Sequence, residues 1–85
     1  MMKIKNINND TLNDIVDVVF SDNLKGHRIY GQEEEPGVII FRDIDSDELR
    51  SISLLYFSTY PNVWRESLIK LKLNYIADEL STYYS

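Results

Sequence analysis

Carboxylates are the groups with which this 85-residue chain could do most: it has 14 Asp and Glu against nine Lys and Arg and a net charge of −5. They are concentrated. Residues 1–48 carry −6 and residues 49–85 carry +1. If the segment that starts at Asn9, Asp10 or Thr11 and ends at Gly26 is helical, Asp10, Asp14 and Asp17 lie on the face opposite its apolar stripe, about 4.5–6 Å apart along the axis at the helical rise. Glu33, Glu34 and Glu35 form a second patch, and Asp43, Asp45, Asp47 and Glu48 a third. Carboxylates at a spacing comparable to nucleic-acid phosphates, on a rigid element, suit the basic groove of a nucleic-acid-binding protein. The plain alternative is a solvated face that keeps a small protein soluble. Direct binding of nucleic acid is not expected, because no basic stripe is present to hold phosphate.

Other chemistries find little support. Asp43, Asp45 and Asp47 occupy the first, third and fifth positions of a calcium loop, but Glu48 stands where that loop needs Gly, and Leu54 where it needs a bidentate Glu. No metal or cofactor is expected. One histidine, His27, no cysteine and no glycine-rich loop leave no nucleophile with a base beside it. The reading is therefore not an enzyme. Among the aromatics, Tyr56, Trp64 and Tyr75 read as core, while Tyr83 and Tyr84 at the chain's end read as contact residues.

The elements that position these groups are read from periodicity. Leu12, Ile15, Val16, Val19 and Phe20 follow the i, i+3, i+4, i+7, i+8 pattern of an amphipathic helix, with Thr11 and Asp14 as a variant capping box and Gly26 as its stop. His27–Tyr30 and Val38–Phe41 read as a hairpin closed at Glu35-Pro36-Gly37. The second run is apolar on consecutive residues, which predicts cover on both of its faces, by the first helix and the C-terminal one. Asp45 with Glu48 begins a further helix with Leu49, Ile52, Tyr56 and Tyr60 on one stripe, although S-I-S-L-L-Y-F-S-T also suits a strand. Pro61 breaks the chain, and Asn62–Tyr83 runs on as one long helix without Gly or Pro. Trp64, Leu68, Leu71 and Tyr75 make one apolar stripe on it, and Ile69, Leu73, Ile76, Leu80 and Tyr83 another.

The expected fold is α+β: an α-β-β-α-α order over a single domain, residues 1–85, with a short antiparallel sheet of two or three strands packed by the long C-terminal helix. Hydrophobic content of 44% and charged content of 27% are globular values. With no apolar run near about 18 residues, the expectation is a soluble cytoplasmic protein without membrane contact. In size, acidity and lack of catalytic residues the chain resembles the small inhibitors that phages and mobile elements make against host nucleic-acid enzymes, anti-CRISPR proteins among them. That resemblance implies an inhibitor or regulator whose acidic face docks on a basic protein surface. Two alternatives stand beside it: a homodimeric interaction module using the uncovered stripe of the last helix, and an antitoxin or immunity protein.

Overall fold

Four of the five residues in Ile15-Val16-Asp17-Val18-Val19 are β-branched, a composition that favours the pleated backbone over the helix. In the computed structural model, which describes residues 3–20 and 28–83, this segment is a strand. Strands β1 (Asn6–Asp10) and β2 (Ile15–Val19) form an antiparallel hairpin around the Thr11–Asp14 turn. The expected first helix is absent here. Val18, which lies off the helical stripe, is fully buried, and Leu12, which lies on it, is 91% exposed. Its expected stop at Gly26 falls outside the described residues, as does His27.

β3 (Ile29–Glu35) and β4 (Val38–Asp43) make the second hairpin, as expected, with β3 continuing through the residues read as a polar loop. Pro36-Gly37 closes it, Gly37 taking φ 76° as the second central residue of such a turn requires. A bulge at Glu34 lies just before the turn. The segment expected to form a helix from Asp45 is instead a turn followed by β5 (Leu49–Leu55), which inserts between β2 and β4. The result is one five-stranded antiparallel sheet, in the order β1-β2-β5-β4-β3. An α+β fold stands, but a sheet of two or three strands under an α-β-β-α-α order does not.

Two helices follow rather than one. α1 (Pro61–Lys70) begins with Pro61 in its first turn, where the missing N–H costs nothing. α2 runs from Asn74 to Tyr83. The break is a Schellman cap: Leu73 N donates to Leu68 O at 2.8 Å, Lys72 N donates to Ile69 O at 3.0 Å, and Lys72 sits at φ 61°. No Gly or Pro marks the site, so the break was not legible. Its physical reason is the pair of apolar stripes. A straight rod turns one of them away from the sheet, whereas the hairpin brings Trp64 and Leu68 from α1, and Ile76 and Leu80 from α2, into one core. Replacing Lys72 with Gly should raise stability by about 1 kcal/mol, because a Cβ at left-handed φ is strained; urea unfolding checks this.

The core lies between the helices and one sheet face, where Val16, Val18, Val38, Ile40, Ile52 and Leu54 meet those four helical side chains. Ser67 Oγ donates to Pro36 O at 2.5 Å and fastens α1 to the β3–β4 turn. No helix among the described residues is long and apolar enough to cross a membrane.

Candidate functional site

The strand period places every second residue of the sheet on the face away from the helices. Ile15 and Val19 of β2, Leu55 of β5, Ile39 and Phe41 of β4, and Ile29 of β3 fall there. All six are half-buried, and none belongs to the core or packs on it. The expectation that Val38–Phe41 is covered on both faces is corrected: Val38 and Ile40 are buried under the helices, while no described element covers Ile39 and Phe41. The ring of Phe41 lies over Gly31 of β3, so close that a Cβ built at Gly31 stands only 2.7 Å from Phe41 Cδ1. Glycine here is a packing requirement. Gly31→Ala should push the ring off the edge strand and cost about 1–3 kcal/mol, read by urea unfolding.

Polar groups sit in the middle of this apolar surface. Asp17 pairs across the ladder with Ser53, and Ser53 Oγ donates to Asp17 Oδ1. Ser53 is 7% exposed, and Ser51 is its neighbour two residues back on the same face. At the two edges the register adds Asp10 and Glu33. The charged positions that the register pairs on this face, Asp10, Asp17, Glu33 and, at its far end, Asp43, are carboxylates, and Asp43 is paired with the Arg50 guanidinium at 3.2 Å.

The other acidic candidates go elsewhere and take different tasks. Asp14, at φ 55° in the β1–β2 turn, accepts hydrogen bonds from Ser58 N (2.9 Å), Ser58 Oγ (2.8 Å), Thr59 N (2.9 Å) and Thr59 Oγ1 (2.7 Å). These bonds, led by the Ser58 backbone N–H, lower its pKa to about 2. Its carboxylate therefore clamps the β1–β2 turn to the residues leading into α1, instead of facing outward beside Asp10 and Asp17. Asp10 itself accepts from Asn13 N at 3.2 Å and Asn13 Nδ2 at 2.9 Å.

At the far end of the sheet Asp43 is 2% exposed and accepts from Asp45 N (2.9 Å), Ser46 N (3.1 Å) and an Arg50 guanidinium nitrogen (3.2 Å). The backbone N–H of Ser46 leads the causes that bring its pKa to about 2. Asp43 thus organises the β4–β5 turn as an internal acceptor, not as a surface contact. Asp47 accepts from the Tyr30 hydroxyl at 2.9 Å, Asp45 lies 3.6 Å from Arg28, and Glu48 lies 3.6 Å from Arg50. Glu34 pairs with Arg42 at 3.1 Å, and Glu33 accepts from Gly37 N at 3.3 Å. Glu35 follows the bulge and is half-buried. The three sequence patches accordingly do not form one acidic face: Asp10, Asp17 and Glu33 share the open sheet, and Asp43, Asp45, Asp47 and Glu48 belong to a turn at its other end.

The aromatics divide in the same way. Trp64 is core and Tyr75 packs against it, but Tyr56 is 57% exposed, contrary to expectation, and meets Tyr60 edge-to-face at 5.8 Å. Tyr83 is 60% exposed, and Tyr84 lies outside the described residues. Among the described residues no three His, Cys, Asp or Glu side chains converge as a metal site. Sequence reasoning missed the six apolar residues of the open face. Their signal was present in the alternation of Ile15–Val19, hidden because the same residues also satisfy the helical period.

No protein family, curated protein or solved structure matches this chain.

Proposed function

We propose that this chain is a non-enzymatic binding protein, an inhibitor or regulator, whose open sheet face docks on a basic and apolar surface of a partner protein. One observation carries the reading: a sheet face with six apolar side chains that no described element covers, on which Asp10, Asp17 and Glu33 are carboxylates without a Lys or Arg ion pair among the described residues. Uncovered apolar surface favours association, and single-signed charge selects the partner's sign. The same charges oppose a second copy on this face, since two-fold pairing would bring carboxylates against carboxylates. Dimerisation through the last helix has less apolar surface to use than its sequence suggests: of the second stripe Ile76 and Leu80 are buried in the core and Leu73 packs on it, while Ile69 and Tyr83 stay exposed.

The test immobilises the wild-type protein and the variant D10N/D17N/E33Q, exposes both to a lysate of the native host, and compares retained proteins at about 50 and about 300 mM salt, which shortens the range of charge attraction. The reading requires a protein held by the wild type, weakened by salt and lost from the variant. Retention indifferent to the three substitutions would overturn it. Matching far-ultraviolet circular dichroism of the two proteins establishes that the variant is folded.

A further inference from the structure

We propose that the chain pairs with a second copy of itself along β1, antiparallel about a two-fold axis at Asn8, so that the two sheets become one. The pairing uses the edge of the sheet and is independent of what binds its open face. β1 and β3 are the edge strands, and an edge offers unpaired backbone groups to any strand that reaches it. The ladder identifies those of β1. Phe20 N donates to Arg50 O, so Val18 and Val16 also turn their backbone groups to β5, while Val19, Asp17 and Ile15 turn theirs to β1. Asn6, Asn8 and Asp10 answer them, which leaves the N–H and C=O of Ile7 and Asn9 pointing outward. With the axis at Asn8, Ile7 faces Asn9 of the second copy and Asn9 faces Ile7, and every one of these outward groups is paired.

The side chains along this edge select a second copy as the occupant. β3 ends in Glu33, Glu34 and Glu35 with a bulge at Glu34, so its own copy would bring like charges together on an irregular strand. β1 carries no charge between Lys5 and Asp10. Asn6 Nδ2 donates to Asn8 Oδ1 at 3.1 Å and so orients the Asn8 amide, which on the axis meets its own copy; a carboxamide, donor and acceptor at once, is complementary to itself. The same register sets Leu12 opposite Ile4 of the second copy. Leu12 projects from the hairpin tip 91% exposed, while Ile4 lines a groove of about 480 Å³ with Lys3, Lys5 and Phe20. A projecting leucine and a groove at opposite ends of one strand meet twice in an antiparallel pair, once from each copy. Lys5 then lies opposite Thr11 and next to Asp10 of the second copy, a favourable pairing of charge.

Sedimentation equilibrium of the full chain tests the pairing. The interface of one short strand is small, so the mass should rise from 10.0 kDa toward twice that value between about 10 and about 500 µM. Leu12→Glu, at a side chain too exposed to matter for folding, should weaken association about tenfold. Asn9→Pro removes an outward N–H, leaves the bonds between β1 and β2 in place, and should abolish association. In the wild type, amide hydrogen exchange at Ile7 and Asn9 should slow as concentration rises, while the amides of β3 keep their rates. A mass that stays at 10.0 kDa throughout would overturn the pairing. So would a dimer unaffected by both substitutions, or one whose concentration-dependent protection falls on other strands.

Discussion

Trp64→Ala should cost about 3–5 kcal/mol, the range for truncating a buried aromatic, out of the roughly 5–15 kcal/mol that a domain has in total. Trp64 is 2% exposed and stacks on Phe57 with ring centroids 4.9 Å apart and planes 8° apart. Its Nε1 donates to Phe57 O at 3.0 Å, and the Arg65 guanidinium lies 5.2 Å from the ring centroid. Through Phe57 it ties α1 to the end of β5, so the lost contact is between the helical layer and the centre of the sheet. Urea unfolding followed by circular dichroism should show a midpoint near or below the start of the wild-type transition. Trp64→Phe separates packing from hydrogen bonding: it keeps most of the apolar area and should cost about 1 kcal/mol for the missing donor. A variant Trp64→Ala as stable as wild type would mean that the two layers are held by something else.

Stability should fall as pH drops from 4 toward 2, and Asp14 and Asp43 should cause most of the fall. Both carboxyls are lowered in the folded protein from an ordinary 3.8 to about 2. A group depressed on folding stabilises fully above its unfolded value and loses that contribution as pH falls through its folded one. The window is therefore set between about 4 and about 2. Each carboxylate reinforces backbone hydrogen bonds between the segments it joins: Asp14 reaches residues 58 and 59 from the first turn, beside the bond from Phe57 N to Asp14 O, and Asp43 joins its own turn to Arg50, beside the bond from Asp43 N to Glu48 O. Asp14→Asn and Asp43→Asn should each lower the melting temperature at pH 7 and flatten its dependence on pH below 4. Melting temperatures measured at half-unit steps from pH 2 to 7 give the answer. A wild-type curve flat down to pH 2 would contradict the internal acceptor roles.

These two clamps bear on the functional reading, because they separate structural carboxylates from those available to a partner. Reading the acidic residues as one face is natural when only their order in the chain is known. Asp10, Asp14 and Asp17 stand at helical spacing, four and then three residues apart, yet on the hairpin Asp10 and Asp17 belong to adjacent strands of the open face while Asp14 turns back to Ser58 and Thr59. The spacing was real and the element was not. Ile15 to Val19 illustrate why: over so short a window, apolar residues meet the periods of both helix and strand, and the β-branched content was the better guide.

What the sequence determined by itself was the class of the molecule and its local punctuation. Its composition marks a globular chain without cysteine chemistry, Pro36-Gly37 specifies a turn between two β-favouring runs, and Pro61 opens a helix, all through preferences that act within a few residues. Only the tertiary structure decided that residues 49–55 would lie as the central strand, that the last helix would break at Lys72, and which carboxylates would face solvent. Those outcomes depend on partners far along the chain: β5 becomes a strand by hydrogen bonding to both β2 and β4, and the break follows from where Trp64, Leu68, Ile76 and Leu80 must meet the sheet. Burial of that shared core outweighs the strain of a lysine at positive φ, and no property of Lys72 or its neighbours announces it.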